Sequence, residues 1–368
     1  MKSYNNLYEP MTDEVYIESK IWDASKGKRN REDVAEVFEN MPKSVNHIKN
    51  MMMNEGYHSP FHIPTKINES SSKKTREIVK PFFWCEQVVH HMFVGQFKQI
   101  VMHGFYEYSC GSIPDRGVHY AKRYIEKKLH AYGNKKFYVL KMDIRHFYAS
   151  VDRDILKSML SKQIRDKRFY NLACEIIDYD GVEHGKGLPL GFYTSQWFGN
   201  YFLKGLDHFI KEQLHADTYV RYVDDMVIFD TNKRKLHRMV ESIQGELAKL
   251  GLELKGNWQV FMFESAKDSK RGRALDFLGF VFHRNRTTLR KSLLRAARRK
   301  ANRIWAKGKP TWYTASQMLS YCGWFYGAKA HKCFQKWILS KVNIRKLKRV
   351  VSKHSRKVEY EKLARSYC

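Results

Sequence analysis

Two adjacent carboxylates interrupt a run of strand-forming residues in this chain. The segment TYVRYVDDMVIF (218–229) is rich in β-branched and aromatic residues, which predicts two short strands with Asp224 and Asp225 at the tip of a β-hairpin. Neighbouring acids raise each other's pKa and destabilise a fold. A hairpin that keeps both acids usually offers them to a divalent metal ion, although an Asp-Asp pair is also common in ordinary turns.

A third carboxylate closes an earlier strand-like segment, KFYVLKMDIRHFYASVD (136–152). The apolar residues before Asp143 predict a buried strand that ends at this acid and leads into a helix near Asp152. The 81 positions that separate Asp143 from Asp224 leave room for a helical crossover, so both acid-bearing strand ends could lie side by side in one antiparallel sheet. Such a set of acids suits the two-metal chemistry of nucleotidyl transfer. By itself, Asp143 would more often be a helix N-cap.

The order of these motifs resembles that of the reverse transcriptases, RNA-directed DNA polymerases in which a strand-Asp with an aromatic pair precedes a Tyr-x-Asp-Asp hairpin. The resemblance extends over most of the chain. Four further segments are similar to blocks of that family: KKTREIVKPFFWCEQVV (73–89) and YSCGSIPDRGVH (108–119) to the first and second fingers blocks, GLPLGFYTSQWFGNYF (187–202) to the block between the acids, and LDFLGFVFHRNRTTLRKS (275–292) to the primer-grip hairpin and the start of the thumb.

The resemblance implies an α+β fold, a right-hand polymerase with fingers, a palm built on an antiparallel sheet, and a helical thumb. We expect an N-terminal helical extension over residues 1–60, fingers over 61–130, a palm over 131–285 with fingers helices around 155–200, and a helical thumb with a basic C-terminal tail over 286–368. The alternation of strand-like and helical segments favours the same layering. A length of 368 residues suffices for these parts and leaves little for a further domain.

By the same resemblance, the three acids form the catalytic centre. Asp143 and Asp224 would ligate two Mg²⁺ ions, with Asp225 in a secondary role and the backbone carbonyl of Ile144 helping to hold the nucleotide-bound ion. Magnesium suits such an oxygen-rich site better than zinc does, and Mn²⁺ can substitute for it.

A second group of residues is implied to bind the incoming dNTP. Arg76, Arg116 and Lys74 would be fingers cations for the triphosphate. Tyr148, or alternatively Phe147, would be the aromatic gate against a ribose 2′-hydroxyl. Leu190, Gly191 and Gln196 would lie beside the nucleotide or the template base. Gln196 could instead cap or tether a helix. Many relatives carry a lysine that is thought to protonate pyrophosphate; this chain has Trp258 at that place, so nearby Lys255 or water is the candidate acid.

Leu190 bears on the type of reverse transcriptase. Many relatives have Gln at this position, and Leu190 followed by Ser195-Gln196 resembles the enzymes of diversity-generating retroelements, which copy a template RNA into mutagenised cDNA. An apolar side chain cannot hydrogen-bond to the incoming nucleotide, so we expect base-pair geometry to be checked less strictly there. This subtype implies a structured template RNA and a small basic accessory protein. The alternatives are a phage-defence or retron-type reverse transcriptase that makes cDNA from a dedicated noncoding RNA, and an RNA-binding protein with a vestigial site.

The charge of the chain agrees with a nucleic-acid partner. It has 67 Lys and Arg against 38 Asp and Glu, a net charge of +29 and a pI of about 9.7, which exceeds what solubility needs. The segment LRKSLLRAARRKANRIWAKGK (289–309) has helical spacing with arginines between its apolar positions, which predicts a thumb helix that grips phosphates. The residues expected at the primer and template are Tyr222, Leu278, Gly279, Arg290, Lys291, Arg295, Arg298 and Arg299.

Cysteine usage and hydropathy bear on where the protein works. The six cysteines show no C-x-x-C spacing, which suggests neither a zinc site nor a disulfide framework and suits a reducing cytoplasm. No apolar run of roughly 18 residues and no secretory leader is visible. We therefore expect a cytoplasmic protein without a membrane partner.

Overall fold

The computed structural model describes residues 3–29, 31–68, 75–179, 185–266, 268, 271–328 and 330–354. The chain divides into two units. The first comprises residues 1–69, 74–117 and 138–260, and the second comprises 70–73, 118–137 and 261–368. This division differs from the four consecutive parts expected from the family resemblance, which stay a prediction.

Helices precede, separate and follow the strands along the chain. In chain order they are α1 (Glu14–Ser25), α2 (Glu32–Glu39), α3 (Met41–Met53), α4 (Val88–Val101), α5 (Val118–Tyr132), α6 (Phe147–Ser150), α7 (Arg153–Ser161), α8 (Lys167–Ile177), α9 (Tyr193–Phe202), α10 (Lys204–His208), α11 (Lys233–Lys249), α12 (Lys291–Lys307), α13 (Trp312–Tyr326) and α14 (His331–Phe334). Asp152 caps α7 by accepting from the N–H groups of Asp154 and Ile155. The helix predicted near Asp152 is therefore confirmed.

The strands are short. In chain order they are β1 (Thr65–Asn68), β2 (Thr75–Ile78), β3 (Ser109–Cys110), β4 (Tyr138–Asp143), β5 (Thr218–Tyr222), β6 (Asp225–Asp230), β7 (Gln259–Met262), β8 (Leu275–Phe277), β9 (Phe280–Phe282) and β10 (Thr287–Leu289). The strand predicted to end at Asp143 is confirmed as β4, and the hairpin predicted around Asp224 is confirmed as β5 and β6.

The largest sheet has the strand order β3-β5-β6-β4-β7. Strand β6 pairs antiparallel with both β4 and β5, as predicted for the acid-bearing strands. Strand β3 is an exception, because it runs parallel to β5. In this parallel pairing the N–H of Arg221 donates to the carbonyl of Tyr108, and the N–H of Val223 donates to the carbonyl of Cys110, each at 3.1 Å.

One continuous hydrophobic core in the first unit joins helices α1 to α4 and the helices around the sheet to one face of that sheet. The ring of Phe93 in α4 stacks on Phe169 of α8, with centroids 4.6 Å apart, and lies 5.5 Å from Phe198 of α9. Leu140 of β4 and its cross-strand partner Ile228 of β6 point into the same core. This packing supports the strands that end at the acids.

Strands β1 and β2 form a separate antiparallel hairpin. The N–H of Val79, just after β2, donates to the carbonyl of Leu190 at 2.7 Å, which joins the hairpin to the loop before α9. Helix α9 begins at Tyr193 with Phe192 at its N-cap. Gln196 therefore lies inside the first turn, and the interpretation of Gln196 as a cap is wrong.

The second unit contains α5, helices α12 to α14 and a three-stranded sheet of order β10-β9-β8. Strands β8 and β9 form a hairpin with Leu278 and Gly279 at its tip, and the primer-grip role expected for this hairpin stays a prediction. Helix α12 buries Ala297, Ala301 and Ile304 and exposes its arginines, in agreement with the predicted spacing. In the described ranges of the chain, every helix is too short or too polar to cross a lipid bilayer.

Candidate active site

The three predicted acids lie at adjacent strand ends. The acidic hairpin (Tyr222–Asp225) joins β5 to β6 through the two residues Val223 and Asp224. Asp225 is the cross-strand partner of Asp143, the last residue of β4. The N–H of Ile144 donates to the carbonyl of Asp224 at 3.2 Å, which ties the tip of the hairpin to the end of β4.

The carboxylates of this site repel one another. Burial raises the pKa of Asp224, and the charge of Asp143 raises it further. Burial, followed by the charges of Asp224 and Asp143, raises the pKa of Asp225 to about 6. Acids whose ionised forms are disfavoured in this way are stabilised by any cation placed among them.

The donor set of the site fits Mg²⁺ by its chemistry, because it offers carboxylate oxygens from neighbouring strand ends. The three carboxylates do not stand in a finished cage. Among the residues that the structure describes, no three His, Cys, Asp or Glu side chains are grouped closely enough to hold a metal ion.

Lys255 forms an ion pair with one of the acids. Its Nζ pairs with Oδ1 of Asp143, and its N–H donates to the carbonyl of the same residue at 2.9 Å. Trp258, at the place where many relatives carry a lysine, contacts the ring of His237 and lines a cavity of about 130 Å³ beside Asp143 and Asp225. Lys255 is therefore placed to act on the acids, whereas Trp258 forms an apolar wall next to them.

The predicted triphosphate cations have different surroundings. Arg76 is exposed on β2, and its charge lowers the pKa of Asp224, so its guanidinium lies within electrostatic reach of the acids. Arg116 is half-buried and donates from Nη1 to the carbonyl of Tyr106 at 3.0 Å. Lys74 lies outside the described residues. The structure thus places Arg76 within electrostatic reach of Asp224 and shows Arg116 bonded to the backbone.

Tyr148 and Phe147 occupy different environments at the start of α6. Phe147 is buried in the hydrophobic core with 2% of its surface exposed. Tyr148 is half-buried, and its pKa is raised first by burial and then by the charge of Asp224. Of the two aromatic residues predicted as the sugar gate, Tyr148 is therefore the one within electrostatic reach of Asp224.

Gly191 and Gln196 line a cavity of about 660 Å³ in the first unit. A Cβ atom at Gly191, which has φ +119°, would clash with the carbonyl oxygen of Val79, so the loop can approach β2 only with glycine at this position. Leu190 is half-buried beside this loop. The rest of the cavity wall combines cations with aromatic rings and is formed by residues that include Lys28, Arg31, Lys80, Phe82, His91 and Tyr193.

The predicted primer and template residues lie in both units. Tyr222 closes β5 next to the acids and is half-buried. In the second unit, Leu278 and Gly279 form the hairpin tip, and Arg290 pairs with Asp276 at 2.6 Å. In α12, Lys291, Arg295, Arg298 and Arg299 are all exposed.

The sequence analysis missed a buried ion pair beside the acidic hairpin and a cation at the cavity. Arg221 of β5 pairs with Asp207 of α10, and both side chains are fully buried. A charged residue inside an apolar strand was the available signal, because a buried charge needs a partner. Lys28 follows α1, and no local pattern in the sequence predicted that it would line a cavity next to α9.

Comparison with known proteins assigns the family. Residues 73–282, more than half of the chain, match the family described as reverse transcriptase (RNA-dependent DNA polymerase). The chain therefore belongs to the reverse transcriptase family, and its fold is the right-hand polymerase fold expected from the motif order.

More specific relatives are distant. The retron Ec73 reverse transcriptase of Escherichia coli is 27% identical over 154 residues, which cover 38% of this chain and 46% of the relative, so the match spans less than half of that protein. Among solved structures, the apo telomerase of Candida tropicalis truncated from the C-terminal domain is 13% identical and covers 66% of this chain and 59% of that chain, with a TM-score of 0.45. The telomerase of Candida albicans in complex with a fragment of telomeric RNA is 11% identical and covers 75% and 55%, with a TM-score of 0.44.

Proposed function

We propose that this protein synthesises DNA on an RNA template by two-metal nucleotidyl transfer. The observation that carries the proposal is the register that sets Asp143 opposite Asp225, with Asp224 bonded to the end of β4, in a chain of the reverse transcriptase family. Asp143, Asp224 and Asp225 would hold two Mg²⁺ ions together with the carbonyl of Ile144. Bound there, such ions would supply activation of the primer hydroxyl and charge stabilisation of the leaving pyrophosphate.

The residues around the acids would bind and select the nucleotide. Arg76 is exposed and acts electrostatically on Asp224, which suits a guanidinium that pairs with the triphosphate. Tyr148 would exclude a ribose 2′-hydroxyl by contact with its ring. Lys255 would neutralise Asp143 and stand ready to donate a proton to pyrophosphate.

We propose that the template passes through the cavity next to Gly191 and Gln196. Cations for phosphates and aromatic rings for bases line the same wall, which is the combination that binds single-stranded nucleic acid. The second unit would hold the product duplex. Residues 277–358 contain 22 Lys and Arg and no Asp or Glu, so this part of the chain offers an uninterrupted positive charge to phosphates.

The retron relative favours one of the two subtypes that the sequence suggested. A retron-type enzyme makes cDNA from a dedicated noncoding RNA, and we propose this role ahead of the diversity-generating one. Because of Leu190, the diversity-generating subtype is the second candidate. That subtype implies a structured template RNA and a small basic accessory protein. Deep sequencing of cDNA made from the RNA of the same locus separates the two, because adenine-biased errors that disappear in Leu190→Gln would favour the second candidate.

The general proposal is tested by primer extension with purified protein, an RNA template, dNTPs and Mg²⁺. We expect full-length complementary DNA from the wild type and none from Asp224→Ala. Tyr148→Ala should raise incorporation of ribonucleotides by about tenfold or more, since the steric gate is removed. The matched control is Phe147→Leu, which alters the buried neighbour and should leave sugar selection unchanged. Equal ribonucleotide use by wild type and Tyr148→Ala would contradict the assigned gate.

A further inference from the structure

A buried ion pair lies beside the acidic hairpin. Arg221 and Asp207 are both 0% exposed, and the guanidinium makes two bonds to the carboxylate, from Nε to Oδ1 at 2.7 Å and from Nη2 to Oδ2 at 2.6 Å. A buried ion pair carries a large desolvation cost and is weak evidence for stability by itself. The groups that Arg221 and Asp207 orient therefore bear on why this buried pair is present.

Asp207 is held in place by further donors. The hydroxyl of Ser109 donates to Oδ2 at 2.5 Å, and the hydroxyl of Tyr219 donates to Oδ1 at 2.7 Å. With the two bonds from Arg221, the carboxylate accepts four hydrogen bonds. This satisfied network fixes the plane of the guanidinium.

The remaining nitrogen of Arg221 reaches the turn of the acidic hairpin. Nη1 donates to the carbonyl of Val223 at 2.9 Å and to Oδ1 of Asn200 at 3.1 Å. The N–H of Val223 donates to the carbonyl of Cys110 at 3.1 Å. Both backbone polar groups of Val223 are therefore bonded, one of them to the buried arginine.

Val223 needs such support because of its conformation. Its φ is +57°, in the left-handed region that β-branched residues rarely adopt. A Cβ atom at Gly111 would lie 2.8 Å from Cγ2 of Val223, so the neighbouring strand also encloses this side chain. Strained residues persist where the surrounding structure over-determines them, and this occurs most often at functional sites.

We propose that Arg221, oriented by Asp207, is a positioning residue that holds Val223 in the left-handed conformation and thereby directs Asp224 and Asp225 toward the metal ions. The inference rests on the proposed function, because it takes these two acids as metal ligands. Arg221 acts through the backbone of the hairpin and is not itself a catalytic residue.

The test compares two buried arginines. Arg221→Lys keeps the charge beside Asp207, but one ammonium cannot make the bonds to Asp207 and Val223 together. Arg153→Lys is the matched control, because Arg153 is also buried and donates to the carbonyls of Gly187 and Tyr179, away from the acidic hairpin. Mn²⁺ binding is measured by electron paramagnetic resonance, and the Mg²⁺ dependence of primer extension is measured alongside thermal unfolding.

We expect Arg221→Lys to weaken Mn²⁺ binding and to raise the Mg²⁺ concentration for half-maximal activity by about tenfold, as for residues that support metal ligands. The KM for dNTP should stay within about threefold. Arg153→Lys should unfold at a lower temperature but bind the metal as the wild type does. Tyr219→Phe removes one bond to Asp207 and keeps its ring in the core, so it should shift the metal dependence in the same direction by about two- to threefold even if Arg221→Lys does not fold.

A double variant tests the link to Val223. Glycine adopts positive φ without strain, so Arg221→Lys should be less harmful when Val223→Gly is also present. Wild-type metal affinity in Arg221→Lys and Tyr219→Phe, or an equal loss of metal affinity in Arg153→Lys, would overturn the inference. Failure of the proposed function looks different: the wild type would bind Mn²⁺ through Asp224 yet make no DNA, and the binding comparison would still decide the role of Arg221.

Discussion

Two tight hairpins, one in each unit, support strained tips by different means. The acidic hairpin has Val223 at φ +57°, and the grip hairpin (Phe277–Phe280) has Leu278 at φ +52°. In the grip hairpin the next residue is Gly279, at φ +80°, and a Cβ atom there would lie 3.1 Å from Cζ3 of Trp324. In the acidic hairpin the next residue is Asp224, which is not among the residues with positive φ, so the left-handed conformation falls on Val223 alone.

The difference follows from what each tip carries. The acidic hairpin carries the proposed metal ligands Asp224 and Asp225, and its turn is held by the buried Arg221 and by the carbonyl of Cys110. The grip hairpin carries no charge at its tip and is held by an indole ring and by the N–H of Arg290, which donates to the carbonyl of Gly279 at 2.9 Å. The acidic hairpin thus combines a strained turn with the proposed metal ligands, whereas the grip hairpin combines a strained turn with packing against the indole ring of Trp324.

The largest effect should come from removing the charge at the acidic tip. Asp224→Asn should reduce DNA synthesis by about a thousandfold, because the tip loses a metal ligand. It should also raise the free energy of unfolding near neutral pH, because a half-buried acid whose charge is disfavoured by burial and by Asp143 becomes neutral. Activity assays and chemical denaturation measure the two effects. If Asp224→Asn lost both activity and stability, the difference that we propose between the two hairpins would be wrong.

An intermediate effect should follow from adding one methyl group beside each hairpin. Gly111→Ala places a Cβ atom 2.8 Å from Val223, and Gly279→Ala places one 3.1 Å from Trp324, each at positive φ. Both variants should lose about 1–3 kcal/mol of stability. Gly111→Ala should weaken metal binding, whereas Gly279→Ala should weaken primer binding, and titrations of metal and of primer-template distinguish these outcomes. The same kinetic signature in both would show that the hairpins are not specialised.

The smallest effect should come from the apolar tip of the grip hairpin. Asn tolerates positive φ better than Leu does, so Leu278→Asn should relieve backbone strain. This stabilisation should offset the stability lost with the half-buried apolar side chain. We expect the free energy of unfolding to stay within about 1 kcal/mol of the wild type and kcat to change less than about threefold. The change should fall on the KM for primer-template, and a large loss of kcat would assign chemistry to this tip as well.

Local pattern predicted the parts of the site that lie within one segment. The apolar run around Asp224 and Asp225 marked both strands, and the spacing in residues 289–309 marked α12. Prediction failed where a contact joins distant segments or depends on helix phase. Lys255 meets Asp143 across 112 positions, α9 begins before Gln196, and only the packed core shows that Phe147 is fully buried whereas Tyr148 is half-buried. The pairing of Arg221 with Asp207 needs α10 beside β5, which no local pattern specifies.

The most direct test of the proposed function is extension of a labelled DNA primer on an RNA template by the purified protein, with dNTPs and Mg²⁺, beside Asp224→Ala and Asp143→Asn. We expect template-length complementary DNA from the wild type, dependence on Mg²⁺ or Mn²⁺, and no product from either variant. Absence of product from the wild type with any RNA template, or product that persists in Asp224→Ala, would contradict it.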